Sequence, residues 1–133
     1  MTEWKTARLR HEAALREFVR GNPEPFKTLW SHGAGVSIFG GWGAYDSGWD
    51  AVGPRLDWAA SRYADGAIDL ENLHTWVDHD LACTVDLEHQ LASLDGKPDQ
   101  VSITLRSTHV YRREADGWRC VHRHADFMTP RQG

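Results

Sequence analysis

The sequence lacks several features that would narrow its function at once. Its 133 residues contain only two cysteines, Cys83 and Cys120, and no CxxC pair. We therefore expect free, buried thiols rather than a disulfide framework or a cysteine metal site. No apolar run approaches the length of a membrane span, and residues 1–20 are charged rather than signal-like. These absences predict no membrane partner and a cytoplasmic location.

The chain also lacks the excess of positive charge that a polyanionic partner requires. Fifteen basic and 19 acidic residues leave a formal net charge of −4. Because Lys and Arg form no cluster, nucleic acid is not expected as a partner. With 41% hydrophobic and 26% charged residues, the composition is that of an ordinary globular protein. The length suits a single domain spanning residues 1–133, without a linker.

Aromatic and imidazole side chains, by contrast, are abundant. The chain holds seven tryptophans and eight histidines. Each tryptophan buries a large apolar area but keeps one N–H group that needs a partner. So many in a short chain indicate either a large aromatic core or an aromatic-lined cavity for a ligand.

Two helices are predicted near the N-terminus. Apolar residues recur at the spacing of one helix face over residues 4–18, with charged residues mostly opposite. Thr2 can cap this helix, and Gly21 lies just past its end. The Pro-Glu-Pro segment at 23–25 opens a second, shorter helix, because proline in the first turn sacrifices no helical hydrogen bond.

A glycine-rich segment joins the first predicted strand, at 36–39, to a third helix. Its glycines at 40, 41, 43 and 48 alternate with aromatic residues, and no GKS, GKT or GxGxxG pattern supports a phosphate loop. We predict a hairpin with close backbone approach instead. The third helix has an apolar face from Trp49 to Tyr63, and Pro54 must either lie in its first turn or kink the helix.

From residue 67 the period of the sequence changes from helical to strand-like. Extended segments are predicted at about 67–79, 81–94, 100–114 and 118–128, with hairpin turns at Asp95-Gly96 and Asp116-Gly117. Helices followed by a meander of long strands predict an α+β fold, in which the helices cover one face of an antiparallel sheet.

Two stretches resemble a known family. The segment FGGWGAYDSGWDAVGPRLDWAASRYADG followed by IDLENL is similar to the hairpin, third helix and next strand of nuclear transport factor 2-like proteins. The segment RSTHVYRREADGWRCVHRHAD resembles the last hairpin of the SnoaL-like branch. It is also similar to that of the calcium/calmodulin-dependent kinase II association domain. The resemblance covers about residues 5 to 128.

This resemblance implies a ketosteroid isomerase-like fold: a cone-shaped, curved antiparallel sheet covered by N-terminal helices. It also implies a cavity at the wide end and usually a homodimer formed through the sheet. The family includes isomerases, dehydratases, epoxide hydrolases, polyketide cyclases and many non-enzymatic modules. Membership therefore does not by itself imply a particular reaction.

Strand alternation predicts which residues of the last hairpin face the helices. If His109 lies opposite His122 and Tyr111 opposite Cys120, one concave face carries Ser107, His109, Tyr111, Trp118, Cys120, His122 and His124. The convex face then carries Arg106, Thr108, Val110, Arg119, Val121 and Arg123. A shift of one residue would exchange the two faces of one strand.

The segment 81–94 has an apolar face, expected at the core or a dimer interface, and a polar face with Thr84, Asp86, Glu88 and Gln90, expected to be wet. In the kinase association domain, arginines line the cavity at the positions of Glu88 and His109. The changed residues argue against carrying over an acidic ligand. A Glu beside a His instead suggests an acid–base pair, since burial raises the pKa of a carboxyl group.

We therefore predict a small-molecule-binding domain with an aromatic-lined cavity. Its chemistry would be acid–base catalysis, of isomerase, dehydratase, cyclase or epoxide hydrolase type, on a hydrophobic substrate without metal or other cofactor. The candidate catalytic residues are Glu88, His109, His122 and His124. The candidate ligand contacts are Trp42, Tyr45, Trp58, Trp76, Tyr111 and Asp126. A non-catalytic ligand-binding or dimerisation module of the same fold is the alternative.

Each candidate also has a purely structural interpretation. Glu88 can be a solvated or ion-paired strand residue, and His122 and His124 can be hydrogen-bonded core residues. Asp126 can pair with Arg106 or Arg123. A metal would need a third ligand to join His122 and His124 on one strand face. No GxSxG motif supports a nucleophile.

Overall fold

The computed structural model describes residues 2–133, except for the side chain of Thr2, so the proposed Thr2 cap lies outside the described side chains. The helices are α1 (Thr2–Phe18), α2 (Glu24–Thr28) and α3 (Trp49–Ser61). The strands are β1 (Ser37–Phe39), β2 (Asp46–Ser47), β3 (Tyr63–Val77), β4 (Leu81–Leu94), β5 (Gln100–Glu114) and β6 (Gly117–Phe127). No helix among these residues is long and apolar enough to cross a membrane.

The six strands form one sheet in the order β2-β1-β6-β5-β4-β3. All neighbours are antiparallel except β1 and β6, which run parallel. Helices and core aromatics cover one face, here called the inner face, and the opposite face is the outer face. The predicted α+β architecture and the four long strands are thereby confirmed.

The end of α3 differs from the prediction, and the position of Pro54 excludes its first-turn alternative. Helix α3 ends at Ser61, and Tyr63 is already the first residue of β3, paired with Leu94. Pro54 lies in the second turn of α3 rather than the first. Because proline has no N–H, the Asp50 carbonyl loses its partner in the helix.

The turns follow their predicted chemistry. Asp95 and Gly96 both have positive φ, +56° and +72°, and the Lys97 N–H donates to the Leu94 carbonyl over 3.0 Å. This conformation favours Asp-Gly. The glycine-rich segment forms the β1–β2 hairpin, as predicted, and its loop, residues 40–45, lies beside β6: a Cβ on Gly41 would lie 3.0 Å from the Phe127 ring.

The core is an aromatic cluster between α1, α2 and the inner face. Phe26 of α2 packs edge-on against Phe18, Trp30 and His109, with ring centroids 5.6 to 6.2 Å apart. Trp4 makes similar contacts with Tyr111 and Trp118. Such edge-to-face packing adds to the stabilisation from buried area, and it holds α1 and α2 over β5 and β6.

Candidate functional site

A β-bulge in β6 decides which residues of the last hairpin face the helices. Tyr111 lies opposite Cys120, as predicted, but the register then shifts, so that Val110 lies opposite His122 and His109 opposite Arg123. One extra residue, Val121, is inserted on β6, and an insertion of one residue exchanges the two faces of a strand. The predicted pairing of His109 with His122 is therefore wrong, and Arg123 lies on the inner face.

The polar row of β4 also faces inward. Thr84, Asp86, Glu88 and Gln90 are all buried, and the expectation that this face is wet is wrong. Three of the four have a partner on another element: Asp86 pairs with Arg8 of α1, Glu88 with Arg123, and Gln90 accepts a hydrogen bond from Tyr63. These partners compensate the desolvation that would otherwise expel the charges.

The centre of the site is a chain of hydrogen bonds through Arg123. Its Nη1 donates to Glu88 Oε2 over 2.6 Å and lies 3.0 Å from His109 Nε2, while Nη2 donates to Glu88 Oε1 over 3.0 Å. Glu88 and His109 are fully buried, and the Arg123 side chain is 11% exposed. Glu88 and His109 are thus linked through Arg123.

The electrostatics of Glu88 are the reverse of the sequence expectation. Burial raises the pKa of its carboxyl group, but the charge and hydrogen bonds of Arg123 outweigh burial and leave the pKa below its usual value. Glu88 is therefore a carboxylate at neutral pH. The contacts of Glu88 are those of the alternative considered from the sequence, an ion-paired strand residue.

His109 and His11 are buried together and uncharged. Their rings lie 4.5 Å apart and nearly perpendicular. Desolvation lowers the pKa of His11 to about 3 and that of His109 well below its usual value. His11 Nδ1 makes a short hydrogen bond with the Tyr111 hydroxyl. Burial raises the pKa of Tyr111, so these three groups form a neutral cluster.

His11, Asp86 and His109 place one ligand atom each within 4.8 Å of one another, the separation that a metal ion would need. Their hydrogen bonds oppose this use. Arg123 only donates, so His109 Nε2 must accept and its ring proton is on Nδ1. A metal bound at Nδ1 would move this proton to Nε2, where it would face the N–H group of Arg123. The Asp86 carboxylate already accepts two hydrogen bonds from Arg8 and one from Asn72.

A cavity of about 50 Å³ lies under the β1–β2 loop and α3. Arg123 forms its polar wall. The rest is largely aromatic and aliphatic: Phe18, Ile38, Trp42, Leu56, Tyr63, Leu105, Ala125 and Phe127. Trp42 closes it on the loop side, packed against Trp58, Tyr63 and Phe127 with centroids 5.6 to 6.1 Å apart. This cavity combines apolar walls with one buried cation.

A larger groove of about 660 Å³ lies on the other side of the molecule, between α1, α2 and the β5–β6 turn. Most of its charged residues are already paired: Glu3 with Arg113, and Asp116 with Arg119. Size alone therefore does not identify the site, because the groove lacks the buried cation that the smaller cavity presents.

The remaining predicted residues lie outside the cavity. On the outer side of the sheet, His122 bonds Ser37 Oγ over 2.8 Å, His124 is exposed, and Asp126 forms an ion pair with Arg106 at 2.8 Å. The predicted place of His122 and His124 on the concave face is wrong, because the Val121 bulge exchanges the two faces of β6, whereas the alternative pairing of Asp126 with Arg106 is confirmed. Tyr111 does face inward, but it lines the larger groove.

Three further predicted ligand contacts are surface aromatics. Trp76 stacks on His74 on the outer face and is 57% exposed, and Tyr45 is 69% exposed. Trp58 does not line the cavity but contacts two residues that do, Trp42 and Arg55. Among the predicted contacts, Trp42 alone lines the cavity, and its role as a ligand contact stays a prediction.

Arg123 is the main residue that sequence reasoning missed, although a signal for it exists. Before the bulge, Trp118 and Cys120 are the apolar residues of β6; after it, Ala125 and Phe127 are. The apolar residues thus change from even to odd positions. Such a change of phase indicates an inserted residue. An insertion at this point predicts that Arg123 lies on the inner face.

Comparison with known proteins supports the fold. A solved nuclear transport factor 2-like protein from Streptomyces avermitilis superposes with a TM-score of 0.80 at 22% identity, covering 97% of this chain and 96% of that one. A superfamily member from Salmonella enterica serovar Typhimurium gives 0.82 at 17%, covering 98% and 92%. The calcium/calmodulin-dependent kinase II hub of S. rosetta gives 0.71 at 19%, covering 92% and 95%.

No curated protein matches the chain. The model of the SnoaL-like domain family matches residues 11–130, which include every strand of the sheet. The chain therefore belongs to the SnoaL-like domain family and has the nuclear transport factor 2-like fold.

Proposed function

We propose that this chain binds a small hydrophobic molecule in the cavity bounded by Trp42, Tyr63, Phe127 and Arg123. The observation that carries the proposal is a nearly buried arginine, Arg123, in the wall of a largely apolar cavity whose second arginine, Arg55, is more exposed. Ligand pockets typically combine hydrophobic and aromatic walls with a few placed polar groups. Here Arg123 supplies the polar group and Trp42 supplies a flat surface for stacking.

The binding of such a ligand requires the cavity to open. Its volume of about 50 Å³ is far below the roughly 300 Å³ at which ligand pockets begin. The loop over it carries Trp42 between glycines, and Gly43 has φ +102°, which glycine adopts without strain. Outward movement of Trp42 would join the cavity to solvent without disturbing the long strands.

Two substitutions of equal size test where the molecule binds. Ala125→Leu fills the cavity, and Ala7→Leu adds the same side chain to the larger groove. With the uncharged probe 2-acetonaphthone, saturation-transfer NMR and tryptophan quenching should detect binding by wild type and Ala7→Leu, and loss of binding in Ala125→Leu. Loss only in Ala7→Leu, or no binding by folded wild type, would contradict the proposal.

Proton transfer is the second candidate, favoured by the connection of Glu88 to the cavity through Arg123. The Glu88 carboxylate would take a proton from the carbon beside a carbonyl, Arg123 would stabilise the resulting enolate oxygen, and the proton would return to carbon. Because Arg123 lies in the cavity wall and Glu88 pairs with it, the ion pair must open during this step.

This reaction has a direct assay. In D₂O, the enzyme should exchange the methyl protons of 2-acetonaphthone for deuterium, which NMR follows as signal loss. Glu88→Gln should abolish the exchange, whereas the control His124→Ala, on the exposed outer side, should keep it. Exchange that survives Glu88→Gln would exclude Glu88 as the base.

For assembly, we propose a homodimer through the outer face of the sheet. Because the polar row of β4 points inward, its alternating residues expose an apolar strip of Leu81, Cys83, Val85 and Leu87, and exposed His89 separates this strip from Leu91. Trp76 of β3 and Val110 of β5 flank Cys83 in this strip. A contiguous apolar surface of this kind is typical of an interface.

A further inference from the structure

The charges around the cavity are already balanced within the protein. Arg123 is neutralised by Glu88 through two hydrogen bonds, and behind this pair Asp86 is neutralised by Arg8, also through two. His11 and His109 are buried among these pairs and uncharged. The buried groups next to the cavity therefore carry two positive and two negative charges, and Arg8 also donates to the Glu12 carboxylate, which is 29% exposed.

The rim arginines also lie near carboxylates, Arg55 without a hydrogen bond to one and Arg62 with two. Arg55, which lines the cavity, lies 3.9 Å from Asp46 and contacts the Trp58 ring at 4.1 Å. Arg62 pairs with Asp95 at 2.6 Å while its guanidinium lies 4.2 Å from the Trp42 ring. Each cation around the cavity among the described residues thus has a carboxylate partner.

Arg123 nevertheless keeps hydrogen-bonding capacity. A guanidinium has five N–H groups, and three of those of Arg123 are used, two by Glu88 and one by His109. Among the described residues, its Nε–H and one Nη2–H have no acceptor. A ligand oxygen can bind these groups while the ion pair with Glu88 stays intact.

From this balance we infer that the cavity selects an uncharged ligand with an acceptor oxygen, such as a ketone, over a carboxylate or an ammonium ion of the same shape. The inference rests on the proposed ligand-binding function and names its substrate class. A carboxylate would add an uncompensated negative charge beside buried Glu88, and an ammonium ion would face Arg123. In a cavity with apolar walls, either charge loses its hydration without gaining a free partner.

Three naphthalene derivatives of similar shape test this selectivity: 2-acetonaphthone, 2-naphthoate and 2-naphthylmethylammonium. Titration of wild type near neutral pH should show the ketone binding at least about tenfold more tightly than either ion, since one unpaired charge costs at least that much. Ala125→Leu should abolish binding of the ketone, which locates it in the cavity.

Glu88→Gln provides the matched change of charge. It keeps the size of the side chain and one acceptor oxygen but leaves Arg123 with an unbalanced positive charge, so the preference should shift to 2-naphthoate. If this variant does not fold, the three wild-type affinities still decide the matter.

The outcomes separate the two proposals. If 2-naphthoate binds wild type as tightly as the ketone and Ala125→Leu blocks both, the selectivity is wrong and the cavity still binds ligands. If none of the three compounds binds folded wild type, the binding function and the selectivity both fail. An unchanged preference in folded Glu88→Gln also overturns the inference.

Discussion

Arg123 is the residue that connects the fold to its candidate chemistry. It holds Glu88 as a carboxylate and His109 in one tautomer, and it supplies the polar wall of the cavity. The buried ion pair is not in itself a source of stability, because desolvation offsets much of its attraction. Removing one member of the pair lowers the free energy of unfolding, however, because the other is left as an uncompensated buried charge.

Arg123→Met should therefore destabilise the protein more than the loss of both charges. We expect roughly 3 kcal/mol in the free energy of unfolding for the single substitution, and clearly less for Arg123→Met combined with Glu88→Leu. Urea denaturation measures both. Additive effects of the two substitutions would show that the pair is not coupled.

His11 should make stability depend on pH in the acid range. Its pKa falls from 6.5 to about 3 on folding because of burial, so between these values the unfolded chain binds a proton that the folded chain does not. Stability contributed by His11 is complete above pH 6.5 and is lost as pH falls, by up to about 1.4 kcal/mol per pH unit.

Replacing His11 with Gln removes this titration, and the difference in unfolding free energy between wild type and His11→Gln should shrink from pH 7 to pH 4. His79→Gln, the same substitution at an exposed site, provides the control. A constant difference between wild type and His11→Gln would refute the buried, neutral state of His11.

At the level of the elements, one bulge places a functional residue and another packs the sheet against α1. The one in β6 turns Arg123 inward, and the one in β3, after Ala64, brings Gly66 against the end of α1. There the Gly66 N–H donates to the Val19 carbonyl over 3.0 Å, and a Cβ on Gly66 would lie only 2.1 Å from that oxygen. No side chain fits at this position.

Gly66→Ala should thus separate α1 from β3 and destabilise the protein by about 2 kcal/mol or more, as overpacking does. Gly33→Ala is the matched control, since a Cβ there meets nothing within 4 Å. Thermal unfolding of the two variants makes the comparison. Equal melting temperatures would show that the contact between Gly66 and Val19 does not constrain the fold.

The sequence predicts elements well and their irregularities poorly. Periodicity and Asp-Gly turns identified β4 and β5 with their observed bounds, because these features are local. The Val121 bulge carries no glycine or proline and is marked only by the change in phase of the apolar residues. Strict alternation therefore assigns His122, His124 and Arg123 to the wrong faces. The inward polar row of β4 was missed because its partners, Arg8 and Arg123, are distant in sequence.

At the scale of the whole molecule, the sheet has two faces of unusual character. The inner face buries paired charges, and the outer face exposes an apolar strip. Monomeric proteins rarely expose leucines and a tryptophan such as Trp76 side by side. A second copy of the chain would bury these side chains.

Val85→Glu should convert the proposed dimer to a monomer, because Val85 lies within the strip and points away from the core. Leu9→Glu is the control: Leu9 is 66% exposed on α1, away from the sheet. Sedimentation velocity at micromolar concentration should show a dimer for wild type and Leu9→Glu. A monomeric wild type would contradict the interface.

A crystal structure with 2-acetonaphthone would show whether a small molecule binds between Trp42 and Arg123. We predict the naphthalene ring against Trp42 and Phe127, its ketone oxygen within hydrogen-bond distance of Arg123, and the pair with Glu88 intact. A ligand bound instead in the groove beside Ala7 and Trp118, or a ligand-free cavity at saturating concentration, would contradict binding at this site.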